Sequence, residues 1–300
     1  MDKTFIVAEI GINHNGCLET AFEIIDVAVK EGFDAVKFQK RNPELYPEKP
    51  YNSAILGQTT YREHKRALEF DKEQYSAIDI YCKSKGIKWF ASCFDFDSID
   101  FIKQFDVDMW KMPSPVIHNL ELVKYYAQQK GKCWMSTGMS EWHEVVKAIK
   151  AFRDAKGVGF NDLYDSLGIV HCCSEYPCPI EHINLAMVRK YKELYPMLDV
   201  GYSNHDAGTV ISVCAVALGA RYVEAHVTKN RTMAGSDHAA SLEYAGMATL
   251  VRHIRAVEKA YGVPYKTFYE GEQKIRDKVQ QIPFYPAKHL AGQCNASDWD

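Results

Sequence analysis

The sequence predicts an α/β protein built as a single closed (β/α)8 barrel of the TIM-barrel class. Eight short runs rich in β-branched and aromatic residues alternate with longer amphipathic stretches, an order that is typical of a parallel sheet. Eight such units in roughly 260 residues match a closed barrel, whereas a doubly wound sheet usually has fewer strands. The chain has 300 residues, of which 47% are hydrophobic and 25% charged, so we expect a large globular core.

Each predicted strand is short and each helical stretch follows a 3.6-residue period. The predicted strands are 5–11, 35–40, 88–94, 109–114, 133–138, 167–174, 198–204 and 222–228. The predicted helices are 18–33, 72–87, 120–132, 142–155, 184–196, 209–220 and 244–262. The barrel is therefore expected to occupy residues 1–263.

Two segments depart from this alternation. Residues 41–70 are rich in proline, tyrosine and charge and follow the second strand, so they form a long loop on the catalytic face, where we expect a lid. Residues 264–300 show no clear period and are predicted to be a C-terminal extension.

The composition excludes several classes of function. The formal net charge is −3 and the basic residues are dispersed, which disfavours a nucleic-acid-binding protein. No apolar run is long enough to span a bilayer and the first residues lack the pattern of a signal peptide, so a cytoplasmic protein is predicted. The nine cysteines are scattered in apolar runs without zinc-site spacing, as expected of reduced thiols.

Polar side chains recur near the carboxyl end of every predicted strand. A single one is typical of a satisfied core residue, but the carboxyl ends of parallel strands meet at one mouth of a barrel, and recurrence on eight strands indicates an active site there. The residues at these ends include Glu9, Lys37, Gln39, Ser92, Lys111, Ser114, Ser136, His171, Ser174, Tyr176, Ser203, His205, Glu224 and His226.

Two kinds of ligand follow from these residue types. Lysines facing inward are costly without a partner, so Lys37 and Lys111 indicate an anionic, phosphate- or carboxylate-bearing substrate. His205 and His226 lie on neighbouring strands and suit a divalent ion such as Mn²⁺, Zn²⁺ or Fe²⁺, with Glu9, Glu224 and Asp237 as available acids. Neighbouring histidines can equally well form ordinary hydrogen bonds, and spacing alone leaves both readings open.

Seven blocks of the sequence resemble, in order and spacing, the sialic acid synthase family. The resemblance covers roughly residues 4–262. The blocks are AEIGINHNG (8–16), AVKFQ (35–39), KMPS (111–114), STGMS (136–140), HCCSEYP (171–177), GYSNH (201–205) and EAHVT with AGSDHAASL (224–242).

The resemblance implies an activity and a role for each matching residue. Members of the family condense phosphoenolpyruvate with N-acetylmannosamine or a related aldose, giving a 3-deoxy-2-keto sugar acid and phosphate, and they use a divalent metal, commonly Mn²⁺. A homodimer is expected. The implied phosphoenolpyruvate site is Lys37, Ser92, Lys111, Ser114, Ser136 and Ser203. The implied metal ligands are His205 and His226, with Glu9 beside the metal, Glu224 supporting His226, and Gln39, Tyr176 and Asp237 facing the sugar.

Two departures from the family pattern bear on the acceptor site. The family usually ends in an antifreeze-like domain that contributes an arginine to the partner's sugar site, and we expect this chain to lack it. The family also typically has a glutamate where this chain has Val116, so His118, Asp95 or Glu175 is predicted to replace it, or the second half of the reaction differs.

Two other functions remain open from the sequence. A metal-dependent aldolase or lyase acting on a keto-acid or phosphorylated substrate would use the same barrel and cation pair. A non-catalytic relative that only binds a metabolite is the second alternative, since Val116 cannot transfer protons. A Schiff base at Lys111 is disfavoured because a nearby anion would keep that amine protonated.

Overall fold

A computed structural model of the protein describes residues 3–279. One compact unit extends to Tyr261 and a second begins at Gly262. Within the described part of the chain, no helix has the length and apolar composition needed to cross a membrane. The eight cysteines in this part carry free thiols.

The described residues form ten strands, eight of which close into a parallel barrel. The strands are β1 (Phe5–Gly11), β2 (Ala35–Lys40), β3 (Pro50–Ser53), β4 (Gly57–Thr60), β5 (Lys88–Cys93), β6 (Met109–Met112), β7 (Lys132–Ser136), β8 (Leu167–His171), β9 (Asp199–Asn204) and β10 (Tyr222–His226). Around the barrel the order is β1, β10, β9, β8, β7, β6, β5 and β2, while β3 and β4 pair separately as an antiparallel hairpin. The predicted (β/α)8 barrel is confirmed.

Ten α-helices accompany these strands in the described residues. They are α1 (Leu18–Glu31), α2 (Tyr61–Ala67), α3 (Lys72–Lys85), α4 (Phe96–Ile102), α5 (Leu120–Ala127), α6 (Trp142–Lys156), α7 (Ala186–Leu194), α8 (Val210–Ala217), α9 (Tyr244–Ala260) and α10 (Glu270–Val279). Seven coincide with predicted helices. The sequence does not predict α2, α4 or α10, and α10 lies in the extension for which no regular element was expected. Residues beyond 279 lie outside the described part.

Several strands end earlier than predicted. β6 ends at Met112, β8 at His171 and β10 at His226, each two or three residues before the predicted end. The residues that follow turn across the mouth of the barrel, as in the short 3-10 helix Ser114–Val116. Polar side chains of the site therefore come from both the strand ends and the first turns after them.

The lower interior of the barrel is filled by an apolar layer. The rings of Trp134 and Tyr222 stack with centroids 4.3 Å apart. A Cβ at Gly168 would lie 2.3 Å from the Trp134 ring, so only glycine leaves room for that indole. The layer consists of Val7, Ala35, Phe90, Met109, Trp134, Val170 and Tyr222. Charged and hydroxyl side chains one step further along the strands have this apolar floor beneath them.

The inserted segment, residues 41–70, is ordered by contacts at its two ends. It contains a 3-10 helix, the β3–β4 hairpin and α2. Lys40 Nζ donates to the Phe70 carbonyl oxygen over 2.9 Å and lies 3.1 Å from Glu69 Oε2. These contacts bring both ends of the segment together beside β2.

Candidate active site

The polar layer opens at the carboxyl end of the barrel into a cavity of about 210 Å³. The thirteen residues to which the family resemblance assigns a role all line this one cavity, and their individual roles remain predictions. They are Glu9, Lys37, Gln39, Ser92, Lys111, Ser114, Ser136, Tyr176, Ser203, His205, Glu224, His226 and Asp237.

Five further residues line the cavity, and the sequence did not identify them as ligands. Four of them, Phe94, Pro113, Pro115 and Met139, supply apolar wall and carry no chemical signal in the sequence. The fifth, Ser174, has a buried Oγ with no hydrogen-bond partner in the structure. Its position just after β8, two residues before Tyr176, was the available signal. A buried hydroxyl without a protein partner can form a hydrogen bond with a bound ligand.

Two buried lysines and two buried glutamates form a balanced charge network in the cavity floor. Lys37 Nζ lies 2.8 Å from Glu9 Oε2 and 3.5 Å from Glu224 Oε1. Lys111 Nζ lies 2.8 Å from Glu224 Oε2. Both lysines thus have carboxylate partners, so their burial does not by itself require an anionic ligand, contrary to the reasoning from sequence.

The two carboxylates differ in how easily they take up a proton. Burial alone would raise the pKa of Glu224, but the ammonium groups of Lys111 and Lys37 outweigh burial and hold that pKa well below its ordinary value. For Glu9 burial dominates over the opposing charge of Lys37, and the nearby Glu224 adds to it, so the pKa of Glu9 is raised. Glu9 is therefore the carboxylate better suited to exchange a proton.

Glu224 does not support His226 in the way that was predicted. Its carboxylate accepts hydrogen bonds from Tyr222 and from Ser203, the latter over 3.2 Å, in addition to its pairing with the lysines. Among the described residues, these groups and not the His226 imidazole hold it. Glu224 instead fixes the position of the two lysines.

His205 presents a neutral imidazole to the cavity. Its Nδ1 contacts the carbonyl oxygen of Cys173, which can only accept, so Nδ1 carries the hydrogen. Its Nε2 therefore accepts from the Tyr176 hydroxyl, 3.0 Å away. Burial, and next the neighbouring His226, lower the pKa of His205 to about 3. A neutral imidazole is the form that binds metals, and the Nε2 lone pair that here accepts from Tyr176 is the one that an ion would take.

His226 is the second imidazole in reach of the same space. The His205 and His226 ring centroids are 5.4 Å apart. His226 Nδ1 is buried without a hydrogen-bond partner and lies 3.7 Å from Asp237 Oδ2. Within residues 3–279 no group of three or more His, Cys, Asp or Glu side chains could hold a metal. The two imidazoles remain the predicted metal ligands, and the metal itself stays a prediction.

A buried arginine that the sequence did not single out orients Gln39, one of the residues predicted to face the sugar. Arg41 Nη2 donates to Gln39 Oε1 over 2.5 Å, and Gln39 Nε2 donates to Glu9 Oε1 over 3.1 Å. The Arg41 side chain also lies 3.8 Å from the Glu69 carboxylate. Arg41 thus fixes which end of the Gln39 amide faces Glu9.

None of the predicted replacements for the missing glutamate lines the cavity. Val116 is buried in the core. Asp95 caps α4 by accepting from Ser98, His118 contacts the Met139 carbonyl oxygen, and Glu175 pairs with a surface histidine. His171, at the end of β8, is likewise held by a backbone carbonyl, that of Ile183, 2.7 Å away.

Comparison with known proteins agrees with this geometry. The NeuB family model matches residues 24–266. The N-acetylneuraminate-9-phosphate synthase of Homo sapiens is 36% identical over 280 residues, which cover 92% of this chain and 76% of that protein. The N,N'-diacetyllegionaminic acid synthase of Campylobacter jejuni is 34% identical over 282 residues, covering 91% of this chain and 82% of that enzyme.

A solved structure extends the comparison to three dimensions. The N-acetylneuraminic acid synthetase of Leptospira borgpetersenii, determined with citrate, superposes with a TM-score of 0.79 at 28% identity and covers 95% of this chain and 94% of that one. The resemblance inferred from sequence motifs is confirmed. The chain belongs to the NeuB family and is a sialic acid synthase-type enzyme.

Proposed function

We propose that the protein condenses phosphoenolpyruvate with an N-acetylmannosamine-like aldose, giving a 3-deoxy-2-keto sugar acid and phosphate. The observation that carries this proposal is the convergence of all thirteen residues implied by the family on one cavity. Membership of the NeuB family and similarity to synthases of sialic-acid-like sugars support it.

The floor of the cavity supplies the site for phosphoenolpyruvate. Lys37 and Lys111 are held in place by Glu9 and Glu224, so their ammonium groups need not reorganise when an anion arrives. The hydroxyls assigned to the same substrate are those of Ser92, Ser114, Ser136 and Ser203. Ser174, with its unpartnered hydroxyl, joins them in the proposal.

Other residues of the same cavity would supply the acceptor and metal sites. Gln39, Tyr176 and Asp237 would face the aldose. His205 and His226 would hold a divalent ion, and Mn²⁺ is the ion we predict. Such an ion would supply Lewis-acid polarisation of the acceptor's aldehyde.

The reaction makes one carbon–carbon bond and releases phosphate. C3 of phosphoenolpyruvate attacks the aldehyde carbon, and the aldehyde oxygen takes up a proton to become a hydroxyl. Water then adds at C2 of the enolpyruvyl unit and loses a proton, and the bond from C2 to the phosphate oxygen breaks as the 2-keto group forms. Lys37 and Lys111 would balance the phosphate charge in a site with little water. Glu9, whose pKa is raised by burial, would accept the proton of the attacking water.

Phosphate release with Mn²⁺ across a panel of aldoses, with product masses and a chelator control, tests the proposal. Aldose-dependent, chelator-sensitive release of phosphate and a product of the summed sugar and pyruvate mass is expected. Cleavage of a keto acid without phosphoenolpyruvate would favour the aldolase alternative. Tight phosphoenolpyruvate binding without turnover on any aldose would favour a binding role. The cytoplasmic location and the homodimer remain predictions, the second testable by light scattering.

A further inference from the structure

The barrel has a seam between β5 and β6, where the two strands pair less than their neighbours do. In the described part of the chain, β5 and β6 are in register at one position, where Ser92 lies opposite Lys111. By contrast, β2 and β5 pair over six positions, and β6 and β7 over four. Ladder hydrogen bonds follow the register, so few of them hold this seam together. Both residues at the seam are assigned to phosphoenolpyruvate in the proposed function.

The hydroxyl of Tyr126 bridges the two strands at this seam. Tyr126 lies on α5 and is only 1% exposed. Its Oη lies 2.6 Å from the Cys93 carbonyl oxygen and 2.9 Å from the Lys111 carbonyl oxygen, and it accepts from the Cys93 amide over 3.0 Å. A hydroxyl has one hydrogen, so the two carbonyl oxygens share it. One side chain thus joins the end of β5 to β6 where the ladder is short.

The backbone that this hydroxyl holds carries two side chains of the cavity. The Oγ of Ser92 accepts from Lys37 Nζ over 2.6 Å, while Lys111 Nζ lies 2.8 Å from Glu224 Oε2. Each side chain is therefore held by a different strand, β2 in one case and β10 in the other. Within residues 3–279, no side-chain hydrogen bond or ion pair joins Ser92 to Lys111. The distance between them depends on the backbone at the seam.

The position of the Tyr126 hydroxyl is itself well determined. The ring packs nearly perpendicular to that of Trp110, with centroids 6.4 Å apart, and belongs to the buried face of α5. Burial raises the pKa of Tyr126 well above its ordinary value, so the hydroxyl keeps the hydrogen that it donates. A second buried tyrosine, Tyr75, makes a simpler contact. It donates to the Gln39 carbonyl oxygen over 3.2 Å, on a strand that is paired on both sides.

We propose that Tyr126 is a positioning residue for phosphoenolpyruvate, and that its hydroxyl sets the separation of Ser92 and Lys111. A displacement of about 1 Å in such groups can be costly to a reaction, because binding depends on their fixed geometry. The inference rests on the proposed function, which assigns both residues to that substrate. The residues predicted to face the sugar come from β2 and from the segments after β8 and β10, so the effect should be confined to phosphoenolpyruvate.

Tyr126→Phe tests this inference on the full-length protein, because it keeps the ring and removes only the hydroxyl. We expect the Kd and the KM for phosphoenolpyruvate to rise about tenfold, the effect of about one hydrogen bond, while the KM for the acceptor stays unchanged. Calorimetry of phosphoenolpyruvate alone would measure the Kd, and phosphate release with each substrate varied in turn would measure both KM values. Urea denaturation would show that the variant is folded under the conditions used.

Two matched variants separate positioning from stability. Tyr75→Phe also removes a buried hydroxyl that is bonded to the backbone, and it should lower the urea midpoint while leaving the affinity for phosphoenolpyruvate unchanged. Tyr125→Phe, at the neighbouring position on α5, removes a hydroxyl bonded to Asp100 and should leave that affinity unchanged as well. An equal loss of affinity in Tyr126→Phe and Tyr75→Phe would overturn the inference, as would an equal rise in both KM values in Tyr126→Phe.

The binding measurement also separates failure of this inference from failure of the proposed function. If the wild-type protein binds phosphoenolpyruvate but releases no phosphate with any aldose, the condensing activity is contradicted. A tenfold weaker binding in Tyr126→Phe would still sustain the role of the hydroxyl. If the wild-type protein does release phosphate and Tyr126→Phe binds phosphoenolpyruvate as tightly as the wild type, the activity stands and the positioning role is wrong.

Discussion

Arg41 donates a hydrogen bond of 2.5 Å to the side-chain oxygen of Gln39, which leaves the amide nitrogen of Gln39 to donate to Glu9. The hydrogen bond from Arg41 engages the side-chain oxygen of Gln39 and so sets the orientation of its amide. A residue outside the cavity lining thus positions one that lies within it.

Replacing Arg41 should therefore affect the acceptor more than phosphoenolpyruvate. In Arg41→Met the amide of Gln39 is free to flip, and we expect the KM for the acceptor to rise about tenfold, the value of one hydrogen bond to a charged group. Steady-state kinetics with each substrate varied in turn would measure the KM values for the acceptor and for phosphoenolpyruvate separately. Arg189→Met, at an exposed arginine of α7, is the control. Equal changes in both KM values would show that Arg41 acts only on folding.

Lys111 and Glu224 form the buried pair whose loss should cost most. Lys111→Met leaves the Glu224 carboxylate with Lys37 as its only cationic partner among residues 3–279, and we expect a loss of about 3–5 kcal/mol in the free energy of unfolding. Urea denaturation would measure it. The double variant Lys111→Met/Glu224→Gln should recover much of the stability but not the binding of phosphoenolpyruvate. Full recovery of binding would contradict the assignment of Lys111 to that substrate.

The two imidazoles should account for metal affinity. His226→Ala removes the buried ring nitrogen that has no protein partner. We expect Mn²⁺ affinity to fall by at least about tenfold, because even the loss of a residue that only supports a metal ligand has an effect of that size. Electron paramagnetic resonance of free Mn²⁺ during titration would measure this without substrate. His253→Ala, at an exposed histidine of α9, should leave the titration unchanged. Unaltered Mn²⁺ binding in His226→Ala would exclude His226 as a ligand.

The eight strands and seven helices were predictable because each repeats a local pattern. The run 35–40, with apolar Ala35, Val36 and Phe38, is one of the short segments between amphipathic stretches, and α1 has the period of an amphipathic helix that ends at Gly32 in the left-handed region, with φ of +84°. α2 and α4 were missed because each has only seven residues, too few for a period to emerge. The β3–β4 hairpin contains few β-branched residues and depends on contacts with α2 and the tyrosines around it.

The chain order of polar residues determined by itself that a site would form at the carboxyl end of the barrel, because parallel strands bring those ends together whatever the details of packing. Only the tertiary structure decided how the groups are paired. Glu9, Lys37, Lys111 and Glu224 lie on four different strands, and their pairing depends on the register between strands that are distant in sequence. The same holds for Arg41, whose partners are set by how the inserted segment folds back on the barrel. Which charges pair and how exposed each side chain is depend on distances in the folded structure. The order of residues along the chain does not give those distances.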